Sequence, residues 1–146
     1  QVQEETKLIP GTDGAKMSKS KNNLINIFLP EKKLRKQVMG IQTDSTPLEE
    51  PKDPDKCNVF ALYSLLASPE QTQQMRANYL GGNYGYGHAK QALFELILER
   101  FGEERKRFDH FMSNLDEIDQ ALHAGAEKAK RVADVVLGRV RRQLGY

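Results

Sequence analysis

The chain has 146 residues, 38% of them hydrophobic and 29% charged, and its 22 Lys and Arg against 20 Asp and Glu leave a net charge of +2. That length supplies one compact domain's worth of core, and so even a balance excludes a global field for nucleic acid and leaves only local patches. The single cysteine, Cys57, excludes an intrachain disulfide, and neither an apolar run of about 18 residues nor a charged-then-apolar leader occurs, so a soluble, cytoplasmic, largely helical protein is expected, with no membrane partner.

Val2 to Ile9 ends in an apolar pair before Pro10, which predicts a short extended segment. Gly11 to Asn23, GTDGAKMSKSKNN, then predicts a loop, because Gly and Asp supply positive φ and side-chain capping. The loop reads as a mobile cationic arm. Lys16, Lys19 and Lys21, interleaved with the hydroxyls of Ser18 and Ser20, suit an anion with several oxygens, a polyphosphate above all. A merely solvated Lys/Ser loop is the alternative.

The spacing predicts a helix over Glu31 to Met39 with Leu34 and Val38 buried and Gly40 ending it. Thr43 to Asp55, with three prolines among acids, predicts a linker or hinge. Asp53 before Pro54 predicts a helix start, followed by Val59, Leu62, Tyr63 and Leu66 at helical spacing, with Cys57 as a small core residue. Ser68 and Gln71 form a capping-box pattern for a helix ending at Gly81 and Gly82.

Gly81 to Gly87 is glycine-rich, but a helix precedes it and the glycine spacing does not suit a dinucleotide fingerprint. Tyr84 and Tyr86 are expected to pack an interhelical turn or to stack on something planar. His88 opens the next helix, with a structural role. Ala89, Leu93, Leu96, Ile97 and Phe101 mark its buried face, and Glu103 to Met112 continues with Phe108, Phe111 and Met112 inward. A short helix capped by Ser113 or Asn114 is expected to stop near Gly125, and a last helix to run from Ala126 to Leu144. In that helix Lys128, Arg131, Arg139 and Arg142 gather on one edge, which suits either an RNA backbone or simple compensation of the helix dipole.

Neither a CxxC pair nor an HExxH motif is present, so the metal expectation is none, and no nucleophile stands in a setting that points to hydrolysis.

Lys16-Met17-Ser18-Lys19-Ser20 resembles the second signature of class I aminoacyl-tRNA synthetases. Pro10 to Gly14, Asn22-Asn23, Ile41 to Ser45, Asp53 to Asp55, Asn58 to Tyr63 and Tyr79 to Gly87 resemble the tryptophanyl branch in order and spacing, over nearly the whole chain. The other class I signature, His-x-Gly-His, does not occur, and the chain begins at Gln1, so the C-terminal part of a longer protein is expected.

The resemblance implies an all-α helical bundle of the synthetase anticodon-binding type, preceded by a loop left over from a nucleotide-binding α/β domain. It divides the chain into residues 1–30, the end of the catalytic domain, 31–52, a connecting helix and linker, and 53–146, a helical tRNA-binding domain. It implies ATP and Mg²⁺ as cofactors, tryptophan and tRNA(Trp) as partners, and a homodimer at full length. Lys16 and Lys19 are the implied catalytic residues, Lys16, Met17, Ser18, Lys19 and Ser20 the ATP-binding ones, and Lys128, Arg131, Arg139 and Arg142 those for tRNA. A tyrosyl-tRNA synthetase and a non-catalytic helical RNA-binding or interaction module are the alternatives.

Overall fold

A computed structural model describes residues 9–145 of the chain, so the expected extension over Val2 to Leu8 lies outside the described residues. Among the described residues six α-helices follow one another: α1 Glu31–Met39, α2 Asn58–Leu66, α3 Pro69–Gly81, α4 Tyr86–Arg100, α5 Gly102–Ser113 and α6 Leu115–Leu144. Among the described residues there is no strand, only an isolated antiparallel bridge between Pro10 and Lys16. None of the helices is long and apolar enough to cross a membrane.

The chain forms two compact units, divided between Arg105 and Lys106, inside α5. Within the first unit α1 and α2 both pack on α4.

The core of the first unit joins Leu34 and Val38 of α1, Val59, Phe60, Leu62 and Tyr63 of α2, Met75 and Tyr79 of α3, and Ala89, Leu93, Phe94, Leu96 and Ile97 of α4. Each face follows the apolar spacing in the sequence, because residues three and four apart share one side of a helix. Helix ends follow local chemistry as well. Ser68 Oγ accepts from Gln71 N while Gln71 Oε1 accepts from Ser68 N, at 3.2 and 2.8 Å, the reciprocal box expected. Gly82 closes α3 at φ 72°, with glutamate 49's carbonyl oxygen 2.5 Å from where a Cβ would stand.

Asp53 caps as expected, Oδ1 accepting from Asp55 N at 3.0 Å, but it opens only a single 3₁₀ turn, Pro54–Lys56. Cys57 is extended at φ −99° and ψ 119°, so α2 begins afresh at Asn58. The Thr43–Asp55 segment is no hinge. Lys52 is buried within it, Lys52 N donates to Tyr79 O at 2.8 Å, and the Tyr86 hydroxyl donates to Asp44 Oδ1 at 2.8 Å. Tyr79, itself fully buried, meets the rings of Tyr84 and Tyr86 at 6.0 and 6.1 Å, so the glycine-rich turn is packed by its tyrosines. His88 Nδ1 accepts from Gly85 N at 3.3 Å, a structural role.

In the second unit α6 runs unbroken through Gly125, where a stop was expected. Glycine inside a helix costs about 1 kcal/mol relative to alanine, and it ends one most readily where the backbone turns left-handed. Gly125 does not, whereas Gly145 does, at φ 82°, and caps the helix there. Phe108, Phe111 and Met112, expected inward, are exposed, as are Leu115 and Leu122. Phe108, Phe111 and Met112 border one hollow with Ile118 and Leu122, so the two helices bring these stripes together without enclosing them.

Candidate functional site

The loop at 11–23 is folded on itself rather than a free arm. Gly11 N donates to Ala15 O at 2.7 Å and Met17 N to Ile9 O at 2.9 Å, closing a narrow turn whose tip, Gly14, has φ 79°. Thr12 N donates to Asn23 O at 2.9 Å, and Gln42 N donates to Thr12 O at 2.7 Å, tying both ends of the loop to the segment after α1. Asn58, in the first turn of α2, donates through Nδ2 to Gln42 O at 3.2 Å.

At the centre stands Asn23, 2% exposed. Its Oδ1 accepts from Ser18 N at 2.8 Å, while Nδ2 donates to Asp13 Oδ1 at 2.7 Å and Lys16 O at 3.1 Å. Gly11 is required beside it, since a Cβ there would lie 2.4 Å from Asn23 Cγ and Nδ2. The Asn23 bond and a second from Ala15 N, at 3.0 Å, hold the Asp13 carboxyl below its ordinary range, with Lys21 adding a weaker attraction.

The five residues singled out in the sequence divide by direction. Lys16, Lys19 and Ser20 are exposed. Met17 turns the other way and packs against the core beside an apolar hollow lined by Ile25, Ile27, Leu62, Leu93 and Ile97, so its side chain anchors the loop. Ser18 Oγ accepts from Lys21 N at 3.3 Å and meets Ser20 Oγ at 3.2 Å, bonds that shape the loop. Among the described residues the Lys16 and Lys19 ammonium groups meet no carboxylate and no hydrogen-bond acceptor. Two unneutralised cations on an internally bonded loop have the charge and the order that binding an oxyanion calls for.

Among the described residues no three of His, Cys, Asp or Glu converge as ligands would, so the loop brings no metal cradle of its own.

In the second unit Lys128, Arg131, Arg139 and Arg142 are all exposed and lie on one continuous helix, within an arc of about 80° at 3.6 residues per turn. Arg142 Nε donates to Gly138 O at 3.1 Å. Val132 and Val135, 68% and 73% exposed, interleave with the cations, so the edge is not purely basic.

The role of Asn23 was not read from the sequence, although Asn22-Asn23 marks the loop's end there. The available signal was an amide side chain placed where a polar loop meets the apolar run Leu24 to Leu29. Lys52 was counted only as a lone base in an acidic stretch, and nothing in its neighbourhood signalled burial.

Residues 2–102 match the profile of the tRNA synthetases class I (W and Y). The chain is 46% identical over 132 residues to a tryptophan–tRNA ligase of Fusobacterium nucleatum, covering 90% of this chain and 40% of that protein. With a tryptophan–tRNA ligase of Rhodopirellula baltica it shares 45% over 137 residues, covering 94% and 43%. The crystal structure of tryptophanyl-tRNA synthetase from Campylobacter jejuni complexed with ADP and tryptophan superposes with a TM-score of 0.94 at 38% identity, covering all of this chain and 46% of that one. The chain thus spans less than half the length of these relatives. With the profile extending over the first unit, loop included, this chain belongs to the class I tRNA synthetases of the tryptophan and tyrosine group.

Proposed function

We propose that the chain is the C-terminal part of a tryptophan–tRNA ligase, in which the Lys16–Ser20 loop serves as the second class I signature and acts on ATP. The observation that carries this reading is the pair of lysines, Lys16 and Lys19, unpartnered among the described residues, on an ordered loop in a chain whose relatives at 45% and 46% identity are tryptophan–tRNA ligases. Those relatives favour tryptophan over tyrosine within a family that includes both. The tyrosyl assignment is the one a substrate assay would restore.

In the whole enzyme, the carboxylate of tryptophan attacks the α-phosphorus of ATP, forming the new P–O bond of the adenylate as the bond to pyrophosphate breaks. The aminoacyl group then passes to tRNA(Trp). The chemistry needs little covalent help from protein, since charge on the phosphate oxygens is the main thing to be stabilised. Lys16 and Lys19 supply positive charge there. Ser18 and Ser20 maintain the loop, Met17 anchors it, and Lys21, close enough to Asp13 to influence its ionisation, contributes less. Mg²⁺ is taken to come with the nucleotide and would neutralise charge on its phosphate oxygens.

The helices after the loop belong, in this reading, to a bundle of the synthetase anticodon-binding type. Lys128, Arg131, Arg139 and Arg142 meet the phosphates of tRNA. The full-length protein is a cytoplasmic homodimer.

Tryptophan-dependent exchange of pyrophosphate into ATP tests the loop in the full-length protein. Lys19→Ala should lower the rate by about 100- to 1,000-fold, as loss of one well-placed charge-stabilising donor does, with little change in tryptophan binding. Lys21→Ala should lower it far less. Equal, small losses in the two variants would leave the loop a solvated surface.

A further inference from the structure

We propose that Asn23 is a positioning residue for adenylate formation: its buried carboxamide fixes the spacing between the Lys16 and Lys19 backbones, and so where two cations meet the phosphates. The inference rests on the proposed ATP-binding role of the loop and deepens it.

Asn23 is the one side chain through which three separated parts of the loop are joined. Its acceptor takes the Ser18 amide, and its two amide protons serve the Lys16 carbonyl and the Asp13 carboxylate, at 2.8, 3.1 and 2.7 Å. The two backbone bonds fall on either side of Met17, at the residue carrying the first cation and the residue just before the second. Slack in them would let the two ammonium groups drift relative to each other. A misplacement of about 1 Å is enough to cost roughly 100-fold in rate when a catalytic group must meet a fixed target.

The surroundings are shaped for this amide and no other group. The residue is 2% exposed, and a Cβ on Gly11 would stand 2.4 Å from its Cγ and Nδ2. A carboxylate in the same place would present an oxygen to Asp13 and to the Lys16 carbonyl, turning two attractions into repulsions. The donor and acceptor directions are therefore specified, as well as the shape.

The two groups that hold the turn from the other side are Asp13 and Asn58. Asp13 Oδ1 takes both the Asn23 amide and the Ala15 backbone N–H. Asn58 Oδ1 lies 2.6 Å from where a Cβ on Gly14 would stand, so the tip of the turn abuts the start of α2. The loop is consequently braced against the first unit, and Asn23 is where the brace reaches the lysines.

The test is a charge swap in the full-length ligase, followed by pyrophosphate exchange and hydrogen–deuterium exchange of the loop. Asn23→Asp, nearly isosteric, keeps the acceptor for Ser18 N but loses both donations, and should lower kcat about 10- to 100-fold with KM for tryptophan unchanged while the Gly11 and Met17 amides that close the turn exchange faster. Adding Asp13→Asn sets a donor against one of the two misplaced oxygens, the opposition to the Lys16 carbonyl remaining, and should recover part of the lost rate, at least a tenth of it. A merely structural asparagine would show loss of melting temperature in step with loss of rate, and no rescue. Full activity of Asn23→Asp, or unrescued loss in the double variant, overturns the positioning role. A result in which Lys19→Ala is disabled while Asn23→Asp is not sinks this inference and leaves the ATP reading intact. If both are fully active, the ATP reading itself fails.

Discussion

The Lys52 ammonium lies 5.4 Å from the centre of the Tyr86 ring and donates to the carbonyls of Pro47, Glu50 and Leu48 at 2.7, 3.0 and 3.3 Å. One cation thereby gathers a proline-interrupted acidic segment that has no ladder of its own, and presses it onto the aromatic cluster around Tyr79. The side chain supplies all three of its protons and accepts cation–π contact from the ring. Burial of a lysine to 2% exposure is tolerable because each proton has an acceptor.

Lys52→Met keeps the aliphatic stem and removes the three donors. It should destabilise the chain by about 1 to 3 kcal/mol, the cost of leaving acceptors without their partner. Urea unfolding followed by circular dichroism measures it. A midpoint unchanged from that of the native sequence would show that the carbonyls are equally well served by water and that the clamp has no energetic role.

Gly11 and Gly14 separate two ways of disturbing the loop. Gly14 combines φ 79° with a Cβ position 2.6 Å from Asn58 Oδ1, so Gly14→Ala is strained both by backbone and by contact. Gly11 has no left-handed backbone, and the three atoms nearest its Cβ position, the Asn23 Cγ and Nδ2 at 2.4 Å and the Asn23 carbonyl oxygen at 2.6 Å, all belong to one residue, so Gly11→Ala acts by displacing Asn23. Gly11→Ala and Asn23→Ala should therefore each slow pyrophosphate exchange, and the double variant should be little slower than either. Additive losses would mean that the glycine and the asparagine act separately.

Asp13 has a pH signature. The bond from Asn23 is the main reason its carboxyl ionises below the ordinary range, so the bond favours the ionised form in the folded loop. A depressed pKa contributes stability that is present above the unfolded value and lost as pH falls through the folded one. The loop should thus stay braced throughout the neutral range and loosen only below the usual Asp value of about 3.9. Carbon-13 NMR titration of the Asp13 carboxyl should give a value under that figure, rising in Asn23→Ala. An ordinary value in the native sequence would mean that the bond does not persist in solution.

Local chemistry was legible in the sequence wherever it concerned neighbours. The Ser68–Gln71 box, the α1 boundaries and the tyrosine-packed turn each involve residues close enough in sequence to read together. Gly125 misled because propensity describes one residue, while the apolar spacing from Leu115 to Leu144 continues through it on one helix face. Asn23 was unreadable for another reason: its partners Ser18, Lys16 and Asp13 lie five, seven and ten residues away, and no periodicity links a loop to itself. Phe108, Phe111 and Met112 mark the remaining limit. Spacing identifies an apolar face but cannot say what covers it.

The basic edge of α6 makes the last prediction. Lys128, Arg131, Arg139 and Arg142 stand on one side of a helix about 45 Å long, and each phosphate that a cation meets releases bound counterions. In the full-length protein, replacing Arg131 and Arg142 together with alanine should weaken tRNA binding and flatten the slope of log affinity against log salt by roughly 1.4 to 1.8. Lys130 provides the control: its ammonium is paired with Asp134 at 2.7 Å, on a different edge of the helix, so Lys130→Ala should leave the slope alone. The dipole argument predicts otherwise, since cations that merely compensate the helix end change stability and not the salt dependence of binding. A salt slope unmoved by the double replacement, with a lowered melting temperature, would assign those arginines to the helix rather than to RNA.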